Sequence, residues 1–273
     1  MQKDNVSIII PTYNRGYIIE RAIQSILRQT YEAFELLIID DGSDDDTQEV
    51  VKNISDERIR YIKCEKNRGP AAARNEGVRQ SRYDYIAFHD SDDEWVEDKL
   101  EKQMQVLREA PADTGMVYSS YETDAGQVFP QEWVPKNQRE GQMFPYLLRG
   151  NMIGTPTMLI RKACFVKLGG FMEELRCIED YEFVLRFARE YSIAYIDEHL
   201  LQVHTTKDSV NYRLNDFFPA KLYIIDKWKK EMLQYGVLEA AVDDILTKAE
   251  QCGVQNEVAI HLQRILNFEV EDK

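Results

Sequence analysis

A chain of 273 residues with 44% hydrophobic side chains can bury a sizeable core. That excludes a wholly disordered protein and leaves room for one large α/β domain, alone or with a small appendage. A formal net charge of −14 argues against nucleic-acid binding through a basic surface, so any anion handled here needs a local positive site built from a metal or a few arginines.

Cys64, Cys164, Cys177 and Cys252 are scattered without a Cys-x-x-Cys pair, the pattern of reduced thiols and not of a disulfide framework or zinc site. Residues 1–5 lead straight into a strand-like run with no apolar leader, and no apolar segment approaches the length of a membrane span. The expected location is cytoplasmic, with peripheral contact at the inner face of the membrane left open.

Residues 6–10 are short, β-branched and closed by Pro11, which predicts a buried strand. A turn over 11–16 (Pro-Thr-Tyr-Asn-Arg-Gly) follows, and the spacing of Ile18, Ile19, Ala22, Ile23, Ile26 and Leu27 then predicts a helix to about Gln29. A second strand over 34–39 ends in Asp40-Asp41-Gly42-Ser43, and a short helix over 47–54 and a third strand over 59–63 come next. Asn67-Arg68-Gly69-Pro70 is a loop, with Pro70 placed to start a helix that runs to about Arg79. The fourth strand, 85–88, delivers Asp90, Asp92, Asp93 and Glu94, four carboxylates within five positions.

Such crowding is unfavourable unless water, hydrogen bonds or a cation compensates it. Asp90-x-Asp92 would let one carboxylate take a divalent ion while the other takes a sugar hydroxyl; the same residues also suit an acidic turn ahead of a helix. Strands alternating with helices predict a mostly parallel, doubly wound sheet with helices on both faces. In such a sheet the loops at the carboxyl ends of the strands share one edge, which brings together Thr12, Asp41, Arg68, Arg74 and residues 90–93. No Gly-x-Gly-x-x-Gly or Walker-type loop follows the first strand, which argues against a dinucleotide dehydrogenase or a P-loop enzyme.

A helix after Trp95 carries Leu100, Met104 and Leu107 towards Pro111, and 115–120 is strand-like. Residues 123–150 are irregular, a loop-rich insert holding Trp133 between Pro130 and Pro135. A strand over 157–160 and a turn at Gly169-Gly170-Phe171 follow. Glu179 and Asp180 open a helix, where acids also serve as simple electrostatic caps. Two closing strands are expected over 193–196 and 200–204, and from about Asp216 the pattern is helical and amphipathic.

These motifs, in this order, make the chain resemble a family 2 glycosyltransferase of the GT-A fold. The likeness is carried by residues 6–14, Ile38-Ile39-Asp40-Asp41-Gly42-Ser43, residues 67–75, Asp90-Ser91-Asp92-Asp93, Gly169-Gly170-Phe171, Glu179-Asp180-Tyr181, and His204 with Ser209. It implies a domain over 1–212, with a nucleotide-binding half (5–110) and an acceptor-binding half (111–212), and a helical extension over 213–273. It also implies a nucleotide-diphosphate sugar as donor, a UDP-sugar first, with Mn²⁺ or Mg²⁺ and inversion at the anomeric carbon. The acceptor would be a carbohydrate or lipid-linked carbohydrate in cell-surface polymer or glycoconjugate synthesis.

Carried over by position, Pro11, Thr12, Tyr13 and Asp41 would line the nucleoside pocket, with Arg68 and Arg74 nearby. Asp90 would contact the ribose or donor sugar, and Asp92 would ligate the metal, with Asp93 supporting and His204 as a further ligand. Asp180 would be the general base, with Glu179 as support or alternative. Adjacent residues on a helix point apart, so only one of the two is expected to reach the acceptor.

Phe171-Met172-Glu173 stands where the family often has Phe-Asp-Glu, and Tyr181 and Phe183 stand where it often has Trp. There is no Gln-x-x-Arg-Trp sequence, which argues against a processive membrane synthase. A second reading is a module that binds a nucleotide sugar without transferring it; Glu179-Asp180 favours the enzyme. The C-terminal helices would pack on the catalytic domain or form a homodimer contact.

Overall fold

A computed structural model describes residues 4–130, 135–206 and 214–267. Trp133, Ser209 and the expected boundary at 212–213 lie outside these residues. The first part alternates strictly: β1 (Val6–Thr12), α1 (Ile19–Leu27), β2 (Phe34–Asp40), α2 (Thr47–Lys52), β3 (Ile59–Lys63), α3 (Pro70–Gln80) and β4 (Tyr85–Phe88). Then come β5 (Glu94–Trp95), α4 (Lys99–Glu109), β6 (Thr114–Thr123), β7 (Val128–Phe129), α5 (Phe144–Leu147), β8 (Leu159–Arg161), α6 (Lys162–Lys167), α7 (Glu179–Glu190) and β9 (Ser192–Val203). Three helices close the described chain, α8 (Leu214–Gln234), α9 (Leu238–Gln251) and α10 (Gln255–Asn267).

One sheet runs in the order β3-β2-β1-β4-β8-β6-β9-β5, with β7 paired to β6. The first four strands are parallel, β8 is antiparallel to β4 and β6, and β9 is parallel to β6. Every residue of β1 and β2 is buried, as expected for parallel strands covered on both faces. Ile8, Ile10, Leu36 and Ile38 pack with α1 and α4, while Ile9, Leu37 and Ile39 face α3 and α7. Helix α3 sits tight on β1: a Cβ at Gly77 would lie 2.5 Å from the Ile9 side chain, so the glycine sets the spacing.

Two of the expected elements differ. The closing strands are one continuous β9, and the exposed Asp197, Glu198 and His199 mark a register shift against β6 where the sequence pattern suggested a break. A two-residue strand, β5, follows the acidic motif and pairs with β9, which draws the end of β9 up to that motif.

Phe217, Phe218, Trp228 and Met232 of α8 join the same apolar core as α7. Lys227 Nζ donates to Glu182 Oε1 at 2.7 Å, and Arg189 Nη1 lies 2.7 Å from Glu231 Oε1. Helix α8 therefore packs against α7, and α9 and α10 pack against α8. Among the described residues, no helix is long and apolar enough to cross a membrane.

Candidate active site

The parallel strands end on one edge, and the sequence-predicted residues of the first half meet there. Thr12 closes β1 opposite Asp40, and its carbonyl accepts from the Asp41 amide at 2.8 Å. Thr12 Oγ1 is buried and has no hydrogen-bond partner among the described residues, while Pro11 is buried and Tyr13 is exposed. Asp40 is structural: it accepts from the Tyr61 hydroxyl and from the Ser43 amide at 2.7 Å. The Asp41 carboxylate accepts from the amides of Arg68 at 3.0 Å and Gly69 at 2.7 Å, fixing the loop before α3. Burial raises the Asp41 pKa above the ordinary carboxylate value against those amides. The Arg68 side chain extends to the exposed rim, where it pairs with Glu173.

The acidic motif is anchored from behind. His89 is fully buried against the Trp95 ring, 4.9 Å between centroids, and burial pushes its pKa down to about 3; it belongs to the core. Asp90 Oδ1 accepts from Arg74 Nη2 at 2.8 Å. Asp92 Oδ2 accepts from the Thr206 hydroxyl at 3.3 Å, and the Asp92 carbonyl accepts from Arg21. Asp93 Oδ1 accepts from the His204 amide at 3.1 Å. Burial, then the neighbouring carboxylates, raise the pKa of both Asp92 and Asp93, Asp93 most strongly; Arg15 beside Asp92 and Arg21 beside Asp93 partly offset this.

His204 lies beside this cluster, but its ring nitrogens face other acids, Nδ1 at 2.7 Å from Asp124 and Nε2 at 3.0 Å from Glu94. Among the described residues no three His, Cys, Asp or Glu side chains form a ready metal cage. Mg²⁺ sites commonly use one or two carboxylates completed by substrate phosphates and water, and Asp92 with Asp93 fits that pattern. Repulsion among these carboxylates adds to burial in raising their pKa, and a hard cation would relieve that repulsion.

The second acidic pair opens α7. Ile178, just before it, sits in the left-handed region at φ 49°, a strained conformation for a β-branched residue. Glu179 and Asp180 point apart. Glu179 Oε1 accepts from Arg74 Nη1 at 2.7 Å, so the buried Arg74 joins α3, the acidic motif and α7 in one bridge. Asp180 Oδ1 accepts from the Tyr181 amide at 2.7 Å, and Asp180 Oδ2 accepts from Asn151 Nδ2 at 3.2 Å. Burial first, and the adjacent Glu179 second, push the Asp180 carboxyl up to about 7.

Two motifs shared with the family meet directly. Asn75 of α3 donates from Nδ2 to the Phe171 carbonyl at 2.8 Å and accepts from the Phe171 amide at 3.0 Å. A Cβ at Gly170 would lie 2.6 Å from Asn75 Oδ1, so this turn needs glycine twice over, for space and for its φ of 74°. Arg15, Arg21 and Asn151 carry no distinguishing signal in the sequence. Arg15 and Arg21 follow β1 as ordinary polar positions of a turn and an amphipathic helix, and only the fold sets them against Asp92. Asn151 falls between the irregular stretch over 123–150 and the strand expected over 157–160, in residues assigned to no element.

The family model for Glycosyl transferase family 2 matches residues 7–165. An uncharacterized glycosyltransferase of Haemophilus influenzae is 32% identical over 234 residues, covering 84% of this chain and 79% of that protein. Longer relatives also match, and the chain spans only 32% of an uncharacterized glycosyltransferase of Rickettsia felis. In structure, the chain resembles residues 1–349 of S. aureus TarS in complex with UDP-GlcNAc, with TM-score 0.67 at 22% identity, covering 81% of this chain and 65% of that one. It also resembles the mannosyltransferase PcManGT from Pyrobaculum calidifontis in complex with GDP-Man and Mn²⁺, with TM-score 0.65 at 16% identity, covering 96% of this chain and 81% of that one. These two likenesses establish the GT-A fold, and the family match settles the wider membership: the chain belongs to glycosyl transferase family 2.

Proposed function

We propose that this chain moves a sugar from a nucleotide-diphosphate sugar to an acceptor hydroxyl with inversion, using Asp180 as general base and a divalent metal at Asp92. The observation that carries this reading is the geometry at the start of α7: the half-buried Asp180 carboxylate accepts from Asn151 and the Tyr181 amide, and its neighbour Glu179 is bridged through Arg74 to Asp90 of the acidic motif, while burial and Glu179 push the Asp180 carboxyl up to about 7. A general base works best when its pKa lies near the working pH.

In this reading the unpartnered Thr12 hydroxyl, with Pro11, Tyr13 and Asp41, receives the nucleoside, and Arg68 lies at the rim of that pocket. Asp90, held by Arg74, presents its remaining carboxylate oxygen to a ribose or sugar hydroxyl. Asp92 would hold Mg²⁺ or Mn²⁺, with Asp93 supporting; His204 would join only after its ring leaves Glu94 and Asp124. The bound ion would supply Lewis acidity for the departing diphosphate. Asp180 takes the acceptor proton as the new bond forms, and attack from the face opposite the leaving group gives inversion. Glu179, neutralised by Arg74, serves as support and not as the base. The acceptor class we propose is a carbohydrate or lipid-linked carbohydrate of a cell-surface polymer.

The neighbours' donors, UDP-GlcNAc and GDP-Man, are the first compounds to try. Thermal stabilisation by one of them, larger with Mn²⁺ or Mg²⁺ than with EDTA, together with nucleotide release on adding saccharide acceptors, is the expected result. Donor binding without transfer or hydrolysis across a broad acceptor panel would instead identify a non-catalytic sugar-nucleotide module. Stabilisation equal in EDTA would remove the metal from the reading.

A further inference from the structure

Among the described residues, one side chain from outside α7 hydrogen-bonds Asp180. Asn151 lies in the loop between α5 and the short turn at Thr155–Thr157. Its Oδ1 accepts from the Ile153 amide at 3.0 Å, which fixes the direction of the side-chain amide and leaves Nδ2 aimed at Asp180 Oδ2, 3.2 Å away. The loop is itself anchored: Met152 and Ile153 are buried, and the Tyr181 hydroxyl of α7 donates to the Leu147 carbonyl at 2.9 Å. With the Tyr181 amide on Oδ1, each Asp180 oxygen accepts a hydrogen bond, which restrains the carboxylate.

From this geometry we propose that Asn151 is a positioning residue for the transfer step, orienting the Asp180 carboxylate towards the acceptor hydroxyl. The inference rests on the reading of Asp180 as base. An amide donor stabilises the ionised carboxylate and opposes the groups that disfavour it. The charged groups facing Asp180 are Glu179 on its own helix, Arg74 from α3 and Asp90 after β4. Cys177 precedes the helix, close to Asp216 of α8. Asn151 adds a neutral donor to Asp180 Oδ2, whereas the hydrogen bonds of Arg74 go to Glu179 and Asp90.

Asn151→Asp separates the two jobs of this side chain. A carboxylate there can still accept from the Ile153 amide, so the loop keeps its cap, but the donor to Asp180 becomes a like charge. The experiment uses the full chain and compares wild type, Asn151→Asp, Asn151→Ala and Asp180→Asn. It measures nucleotide released from UDP-GlcNAc or GDP-Man against pH, donor affinity by calorimetry, and the Asp180 carboxyl titration by ¹³C NMR.

In Asn151→Asp we expect turnover at neutral pH to fall about tenfold or more with donor affinity unchanged, and the Asp180 midpoint to rise by about one pH unit or more. Asn151→Ala should move both in the same direction by less, because it removes the donor without adding a charge. A purely structural role predicts the reverse order, with Asn151→Ala damaged and Asn151→Asp close to wild type, and would overturn the proposal. Wild-type turnover in Asp180→Asn would overturn the base assignment itself. An inactive Asp180→Asn beside an unchanged rate and titration in Asn151→Asp would overturn the Asn151 inference alone.

Discussion

The acidic motif after β4 and the acidic pair opening α7 are similar in composition, and one arginine serves both. Arg74 takes Asp90 from the first and Glu179 from the second. In each cluster this neutralises one carboxylate and leaves others whose pKa is raised: Asp92 and Asp93 on one side, Asp180 on the other. Their surroundings then differ. Asp92 and Asp93 stand together, with Thr206 and the His204 amide beside them, an all-oxygen pair suited to a hard cation. The Asp180 oxygens accept from neutral donors, Asn151 and the Tyr181 amide, with the charges of Glu179, Arg74 and Asp90 around them, which would suit the proposed proton acceptor. In the proposed function, excess negative charge would serve two chemistries, chosen by whether carboxylates are grouped or single.

The largest expected effect tests that division. Asp180→Asn should lower turnover about 10²–10⁴-fold while leaving metal-dependent donor binding intact, because only the proton-accepting role is lost. Asp92→Asn should do the opposite first: donor affinity in Mn²⁺ or Mg²⁺ falls, and the difference between metal and EDTA shrinks. Calorimetric titration of both variants with UDP-GlcNAc and GDP-Man checks this. If the two variants lose binding equally, the clusters do not divide the work as described.

Next in size is the shared cation. Breaking a buried ion pair by removing one partner typically costs about 3–5 kcal/mol, because a buried charge is left uncompensated. Arg74→Met leaves two carboxylates, Asp90 and Glu179, without their common partner, and should lower the denaturation midpoint at pH 8 accordingly. Arg74→Met combined with Glu179→Gln should recover part of the loss, since one of the stranded charges is gone. A double variant no more stable than the single one would show that the bridge is not the source of the effect.

Much of this arrangement was legible in the sequence. The buried runs of β1 and β2, the Pro70 start of α3 and the acidic ends of β2 and β4 follow from periodicity and turn chemistry, and the parallel topology then brings Thr12, Asp41 and the acidic motif to one edge. What did not follow was long-range pairing. Arg74 reads as one basic residue in an alanine-rich helix, and nothing in its local pattern says that it lies between Asp90 and Glu179, 16 and 105 positions away. His204 reads as a strand-end ligand, yet its ring partners, Glu94 and Asp124, come from either side of the sheet path and are fixed by β5 pairing with β9. Asn151 lies between the irregular stretch, 123–150, and the next expected strand, and no local pattern marks it.

The smallest effect asks whether Asp180 is poised at an energetic cost. Its pKa in the folded chain lies above the ordinary 3.8, at about 7, so between those values the native state holds a proton that the unfolded state has released. Stability from this group therefore falls as pH rises from about 4 to about 7, the reverse of a salt-bridged carboxylate. Asp41, Asp92 and Asp93 are shifted in the same direction, whereas Glu182, buried between Arg186 and Lys227, has a lowered pKa and loses its contribution only in stronger acid. Asparagine at 180 carries no charge to desolvate but turns its NH2 towards one of the two donors, a cost independent of pH, so Asp180→Asn should be inactive and should gain on wild type between pH 5 and pH 8, by on the order of 1 kcal/mol or about 2–4 °C in Tm. The gain should shrink towards pH 5, where the wild-type carboxyl is already protonated. Wild-type turnover should fall over the same interval, as pH drops through about 7, because the base is then protonated. Thermal melts of both proteins at pH 5 and pH 8, set beside the wild-type pH–rate profile, join the two observations, and a variant equally destabilised at both pH values would show that Asp180 carries no stored charge penalty to release.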